Sequence, residues 1–106
     1  MMKKDLTNNP LAEILFDELC QIEGIDDELV VDVVEYGIVE PLGRTSEGQW
    51  IFETRSVTWI KKAVRLHLDL DIDWVAVAMV IELLQQKSDL EKENERMSQL
   101  LERFVN

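Results

Sequence analysis

The last third of the sequence contains neither glycine nor proline. Nothing between Asp73 and Asn106 breaks a helix, and Asp73 is a suitable N-cap residue. Apolar residues recur there every seven positions, which is the spacing of a coiled-coil seam. The seam residues are Val80, Leu83, Leu90, Asn94, Met97 and Leu101. We therefore expect one long coiled-coil-like helix over 73–105 and, through its seam, a homodimer.

The seam residues lie on two heptad rows, which also contain Lys87 and Phe104. The rows are Val80-Lys87-Asn94-Leu101 and Leu83-Leu90-Met97-Phe104. A single asparagine in such a row commonly fixes the register and number of the paired helices, at some cost in stability. The sequence leaves open whether the paired helices are parallel or antiparallel. It also leaves open a helix that folds back on its own chain, because residues 72–84 must serve the core as well.

Composition limits the class of protein. A chain of 106 residues with 46% hydrophobic residues is long enough for one compact core. Its net charge of −11 repels nucleic acid and anionic lipid alike, so nucleic acid is an unlikely partner and neutral or basic partners are expected. Cys20 is the only cysteine, which excludes an intramolecular disulfide. The longest apolar run, 74–81, is too short to span a membrane, and we expect a cytoplasmic protein with no membrane contact.

Ahead of the long helix, the chain divides into three parts after a flexible leader, 1–10. Residues 11–36 are predicted to form a helix-turn-helix, with helices over 12–22 and from Asp26 or Asp27 to Tyr36. Residues 38–53 are predicted to form a small β-hairpin, or wing, from strands at 38–42 and 49–52. Pro41 makes its edge irregular, so we expect the wing to join no larger sheet. The fold class is therefore mainly α, with residues 11–106 forming a single domain.

The remaining segment, 56–71, is predicted to be a buried helix. Its apolar residues fall on two nearly opposite sides of the helix, so we expect it to be sandwiched between two layers. One side carries Val57, Ile60, Val64 and Leu68, and the other carries Trp59, Ala63, Leu66 and Leu70. The solvated stripe consists of Lys61, Lys62, Arg65 and Asp69.

No constellation of residues points to catalysis, a metal or a cofactor. His67 and Cys20 are single residues, and both are interpreted as packing residues. The run Asp69-x-Asp71-x-Asp73 lacks the glycine and the distal glutamate of a calcium loop. The tryptophans are interpreted as structural, with Trp74 expected to be partly exposed. We therefore expect a protein that is not an enzyme.

The order of elements resembles that of the MerR-type regulators, and local segments agree. Residues 16–25 are similar to the first helix and turn of that family, and residues 36–41 to the stretch that leads into its wing. The later segments resemble the CbpM chaperone-modulator family: residues 50–52, 62–67, 70–74, 93–94 and 103–105. This resemblance implies a MerR-like winged helix-turn-helix fold. It also implies binding to the J-domain of a CbpA/DnaJ-like co-chaperone, with inhibition of its stimulation of DnaK and of its DNA binding.

The second helix departs from DNA-binding MerR proteins, which carry basic residues there. This chain carries acids instead, and acids repel the phosphates that a DNA reader must contact. We take four of them as candidate partner-binding residues: Asp26, Asp27, Asp32 and Glu35. Two alternatives stay open. In the first, the acids only form a solvated helix face without a partner. In the second, the chain is a MerR-like transcriptional regulator that still binds DNA, through Arg44, Lys61, Lys62 and Arg65.

Overall fold

The computed structural model describes residues 12–105 and is 68% helical, which confirms the mainly α fold class. The predicted leader, 1–10, lies outside the described residues, as do residues 11 and 106. Within the described part, a small sheet and four helices follow one another along the chain. They are β1 (Glu13–Leu15), α1 (Phe16–Glu23), α2 (Asp27–Glu35), β2 (Gly43–Arg44), β3 (Trp50–Glu53), α3 (Ser56–Leu70) and α4 (Trp74–Val105).

The first helix is shorter than predicted. The chain is extended over Glu13–Leu15 and turns into α1 only at Phe16, so the prediction of a helix from Ala12 is wrong. Pairing with β3 places Ile14 opposite Phe52 in the core, and this long-range contact overrides the local helical spacing. The helix ends at Gly24, which adopts a left-handed conformation with φ of 67°. Glycine pays no Cβ penalty there.

The wing differs from the prediction in its first strand and in its neighbours. The sheet is antiparallel, with strand order β1-β3-β2, so β3 is paired on both edges and the expectation of an isolated wing is wrong. The strand opposite β3 is Gly43–Arg44 rather than 38–42. Ile38 and Val39 instead turn inward and are buried in the core. Neither residue belongs to the ladder with β3, whose register with β2 covers only Gly43 and Arg44.

Helix α3 lies between two layers, as predicted. It packs against α2 and β3 on one side and against α4 on the other, through the buried residues Ile60, Ala63 and Val64. The stripe predicted to be solvated is exposed at all four positions. Leu68 and Leu70 were expected to be buried but are exposed, because neither layer covers these positions in the last turn of α3.

The turn from α3 into α4 is closed by polar contacts and an aromatic stack. Asp71 is left-handed, with φ of 55°, and His67 Nδ1 lies 2.7 Å from the carbonyl oxygen of Ile72. Asp73 caps α4, since its carboxylate accepts a hydrogen bond from the Ala76 amide at 2.9 Å. The His67 ring stacks on Trp74 at 4.0 Å between centroids, which agrees with a packing histidine. Trp74, expected to be partly exposed, is only 7% exposed.

Helix α4 is unbroken from Trp74 to Val105, a length of about 48 Å at 1.5 Å per residue. Its buried residues end at Ile81, and every side chain over 89–105 is exposed. The helix therefore does not fold back on its own chain. Among the helices of the described chain, none combines the length and the apolar character that crossing a membrane would require.

Candidate protein-interaction surfaces

The predicted seam is an exposed apolar stripe along α4. Val80 is half-buried and the other five seam residues are exposed. Phe104, which continues the stripe, is 83% exposed. Lys87, which lies within one heptad row, pairs with Glu91 at 3.6 Å, and Arg96 pairs with Glu93 at 2.7 Å. No element of residues 12–105 covers this stripe, and pairing through it stays a prediction.

The acidic residues of the second helix form its outer face. Val30 and Val33 are buried on the inner face, and the 100° rotation per residue places Glu28, Asp32 and Glu35 on the opposite side. None of the acids over 26–35 forms an ion pair within the part of the chain that the structure describes. The outer face of α2, defined here as Glu28, Val31, Asp32, Glu35 and Tyr36, therefore carries three acids that have no ion-pair partner among the described residues.

The four candidate partner-binding residues divide into two pairs. Asp26 and Asp27 lie at the first turn of α2, where the helix dipole favours negative charge and they help to stabilise the helix. Asp32 and Glu35 lie toward the other end, which has no basic residue in its last turn. Acids at that end interact unfavourably with the dipole, by about 0.3–1 kcal/mol each. The helix dipole therefore favours Asp26 and Asp27 and disfavours Asp32 and Glu35.

Tyr36 adds an aromatic side chain to this face, which the sequence analysis did not single out. It is 49% exposed and stacks on Trp74, with 6.4 Å between ring centroids and 26° between the planes. The stack holds the exposed ring in one orientation at little entropic cost. Rigid, partly exposed aromatic rings are common energetic centres of protein interfaces. No periodicity connects residues 36 and 74, so only the folded chain shows the pair.

Cys20 forms part of the lining of an open, acidic concavity between α1 and α2. The concavity is lined by Asp17, Cys20, Gln21, Ile25, Asp26 and Asp27. Burial, a hydrogen bond to Asp27 and the charge of the nearby aspartates raise the pKa of the Cys20 thiol to about 12. The thiol therefore stays protonated at neutral pH and is a packing residue, as the sequence analysis proposed.

We expect Cys20 to react with Ellman's reagent about a hundredfold more slowly in the folded protein than in the guanidinium-unfolded chain, because only the thiolate attacks. A cysteine placed on the exposed wing by Ser46→Cys is the matched control and should react quickly in both states. The raised pKa also means that this group stabilises the fold below pH 9 and that the contribution is lost as the pH rises toward 12. Equal rates for Cys20 and the Ser46→Cys thiol in the folded protein would contradict the assignment.

The basic residues that a DNA-binding alternative requires are partly engaged within the chain. Lys61 pairs with Glu23 at 3.1 Å. Arg44 lies over the Trp50 ring at 5.5 Å and donates a hydrogen bond to the carbonyl oxygen of Gly48 at 3.3 Å. Lys62 and Arg65 form no ion pair among residues 12–105. Two of the four predicted phosphate contacts are thus already occupied by intramolecular partners.

Lys62 and Arg65 instead border an apolar groove between α3 and α4, which the sequence analysis did not predict. Leu66, Leu70 and Leu84 line it, and its volume is about 350 Å³. Asp69 completes the rim. Within residues 12–105, no three histidine, cysteine or acidic side chains come together in a way that could hold a metal ion.

Known proteins resemble this chain over most of its length. The model of the MerR HTH regulatory protein family matches residues 14–99. Among curated relatives, the chaperone modulatory protein CbpM of Pseudomonas entomophila L48 is 43% identical over 87 residues, which cover 82% of this chain and 85% of the relative. The protein of the same name from Pseudomonas putida F1 is 44% identical over the same shares. That from Escherichia coli O1:K1 / APEC is 34% identical, over 83% of this chain and 86% of the relative.

These are the names of regulators and modulators, not of enzymes. The matched residues run from the start of the sheet, through the helix-turn-helix and the wing, and along most of α4. The chain belongs to the MerR helix-turn-helix regulatory family and, within it, to the CbpM chaperone modulatory proteins.

Proposed function

We propose that this protein is a cytoplasmic chaperone modulator that binds the J-domain of a CbpA/DnaJ-like co-chaperone. Binding lowers both the co-chaperone's stimulation of DnaK and its DNA binding. The names of the relatives support the general role. The observation that carries the specific role is the outer face of α2, at the position where a DNA reader would carry bases. Glu28 and Glu35 are exposed there, Asp32 is half-buried, and none of the three has an ion-pair partner among residues 12–105.

Charge complementarity is the physical basis of the proposed recognition. J-domains of this kind present a basic helix toward DnaK, and an acidic face would attract it and speed association. Exposed ion pairs contribute only about 0.2–1 kcal/mol each, so charge alone does not produce tight binding. The half-buried Val31 and, at the C-terminal end of the same face, Tyr36 supply apolar contact area.

Inhibition then follows from steric occlusion. A J-domain helix covered by α2 cannot contact DnaK at the same time. The same contact would lower DNA binding by the co-chaperone, because a protein of net charge −11 held close to it repels phosphates. No catalytic step, metal or cofactor is needed for either effect.

The proposed active species is a homodimer that pairs through the seam of α4. Pairing would remove from water an apolar stripe that is exposed in the single chain. Each dimer would present two α2 faces, on the two copies of the helix-turn-helix. A partner that is itself dimeric would then gain affinity from the second contact without any new surface.

Calorimetric titration with an isolated J-domain tests the proposed contact. Reversing Asp26, Asp27, Asp32 and Glu35 to Lys is expected to weaken binding by about a hundredfold or more, because attraction becomes repulsion over the whole helix. Far-UV circular dichroism checks that the variant is folded.

The matched control reverses Glu40, Glu47, Asp89 and Glu95, which are exposed outside α2 and change the net charge by the same amount. We expect it to weaken binding by less than about threefold. If both variants lose J-domain affinity equally, net charge and not the α2 face explains the loss. If the α2 variant binds the J-domain as tightly as the wild type, the binding site lies elsewhere. Absence of binding by the folded wild-type protein would refute the function itself.

A further inference from the structure

Rings from the end of α2, the end of α3 and the start of α4 stack on one another. Trp74, only 7% exposed, stacks on His67 with 4.0 Å between ring centroids and on Tyr36 with 6.4 Å. Tyr36 is the member of the stack that reaches the surface, where it is 49% exposed. Contact with a buried ring restricts the Tyr36 side chain, so its ring is presented to solvent already ordered.

The Tyr36 ring has no cation over it within the described part of the chain, unlike two of the tryptophan rings. Arg44 lies 5.5 Å from the centre of the Trp50 ring, and Lys62 lies 6.0 Å from the centre of the Trp59 ring. Both tryptophans are half-buried, whereas Tyr36 is exposed. A cation over the face of an aromatic ring is attracted by the ring quadrupole. The most exposed of these three rings is therefore the one that lacks such a partner.

The surroundings of Tyr36 favour a positive charge as well. The Tyr36 amide donates a hydrogen bond to the Asp32 carbonyl oxygen at 2.9 Å, so the helical geometry continues to Tyr36 and the two side chains are neighbours on one face. Glu35 is exposed beside them in the sequence. The end of α2 also carries the negative end of the helix dipole, with no basic residue in its last turn. Ring, carboxylates and dipole thus act in the same direction.

We propose that the end of α2 is a subsite for one arginine side chain of the basic partner, whose guanidinium stacks on the exposed part of the Tyr36 ring and pairs with Asp32. This inference rests on the proposed function and specifies which kind of side chain the partner inserts. A guanidinium is planar, so it can stack on an aromatic ring and pair with a neighbouring carboxylate at the same time. The ammonium of lysine is compact and more strongly hydrated, and it is less suited to both contacts at once.

The subsite also gives the acidic face a register. Charges along a helix attract a basic helix at many offsets, whereas a stacked and paired guanidinium fits only where Tyr36 and Asp32 meet. The buried Trp74 behind Tyr36 keeps that position constant. The arginine of the partner therefore determines how its basic helix lies along α2.

Substitutions of Tyr36 separate stacking of a cation from plain apolar contact. Titration calorimetry with an isolated J-domain measures the dissociation constant. Tyr36→Leu keeps an apolar side chain and removes the ring, and we expect the constant to rise by about tenfold. Tyr36→Phe keeps the ring face and should raise the constant by less than about threefold. A Tyr36→Leu protein that is folded by circular dichroism and binds as tightly as the wild type would overturn the subsite.

A double substitution tests whether Tyr36 and Asp32 contact the same side chain of the partner. Asp32→Asn alone should raise the dissociation constant by about fivefold. Combined with Tyr36→Leu, the loss should be smaller than the product of the two single losses, because both residues act on one guanidinium. Glu28→Gln, at the other end of the outer face of α2, is the matched control, and its loss should multiply with that of Tyr36→Leu. Simple multiplication in both pairs would contradict a shared contact.

Substitutions in the partner complete the test. Each arginine of the basic helix of the J-domain is replaced singly by lysine, which keeps the charge. We expect one of these changes to weaken binding to the wild-type protein by about tenfold and to leave binding to the Tyr36→Leu protein unchanged. If no arginine behaves in this way while the wild-type proteins bind each other, the subsite is overturned and the proposed function stands. If the folded wild-type proteins do not bind at all, both are refuted.

Discussion

Replacing Leu90 and Met97 together with aspartate is expected to convert the proposed dimer into a monomer and to melt the distal half of α4. Both side chains lie on the exposed seam. Burying each in a dimer would contribute about 1.5–3 kcal/mol, and each copy supplies both. Aspartates there would instead place four carboxylates in one interface. We expect the dimer dissociation constant to rise by about a thousandfold or more.

The loss of helix follows from the isolation of the distal half of α4. Its side chains over 89–105 are exposed, so only hydrogen bonds within the helix support this segment in a monomer. Isolated helices of about 12–15 residues are marginal in water. Circular dichroism at 222 nm, followed together with sedimentation, should show both changes.

Lys92→Asp with Gln99→Asp is the matched control, because both positions are exposed on α4 away from the seam. This pair adds more negative charge than the seam pair does. If the control variant remains a dimer and the seam variant dissociates, the exposed stripe of α4 is the dimer interface. Equal dissociation in both would point to charge repulsion alone, and no dissociation in either would contradict the seam.

The largest expected loss of folding stability comes from Phe52→Ala. Phe52 is 0% exposed, lies opposite Ile14 in the sheet and packs edge-on against Trp50, with 6.3 Å between the ring centroids. Removing a buried phenylalanine costs about 3–5 kcal/mol, counting both transfer and the cavity left behind. Small domains are stable by only about 5–15 kcal/mol, so a large share of the unfolding free energy should be lost.

Urea unfolding measures this loss. Leu42→Ala is the control, since Leu42 is exposed at the start of the same hairpin and should change the unfolding free energy by less than about 0.5 kcal/mol. A Phe52→Ala protein that unfolds at the same urea concentration as the wild type would contradict the description of the core.

Features that depend on neighbouring residues could be predicted from the sequence. The continuous α4 follows from the absence of glycine and proline after Asp73, and its start follows from the capping carboxylate of that residue. The start of α2 after Asp26 and the solvated stripe of α3 follow from local capping and periodicity in the same way.

Features that depend on distant pairing could not be predicted. Residues 13–15 have helical spacing and form a strand, because β3 offers them an edge that lies far away in the sequence. Ile38 and Val39 look like one strand of a hairpin and are drawn into the core. Short apolar segments satisfy both patterns, and only the tertiary partner decides between them.

The candidate site shows the same division. An acidic second helix is visible in the sequence, and the prediction that it binds a partner still awaits its test. The helix dipole stabilises acids at the start of α2 and destabilises acids at its end, and this difference can be assigned to residues only once the bounds of α2 are known. The Tyr36 ring on Trp74 and the groove between α3 and α4 depend on the packing of separate elements.

The proposed role is tested most directly by the ATPase rate of DnaK in the presence of the full co-chaperone, measured as this protein is added. We expect the stimulated rate to fall to the basal rate as the protein approaches equimolarity with the co-chaperone, and the variant with lysine at 26, 27, 32 and 35 to have no such effect. DnaK alone should be unaffected. A stimulated rate that stays constant at a large excess of the folded wild-type protein would contradict the account.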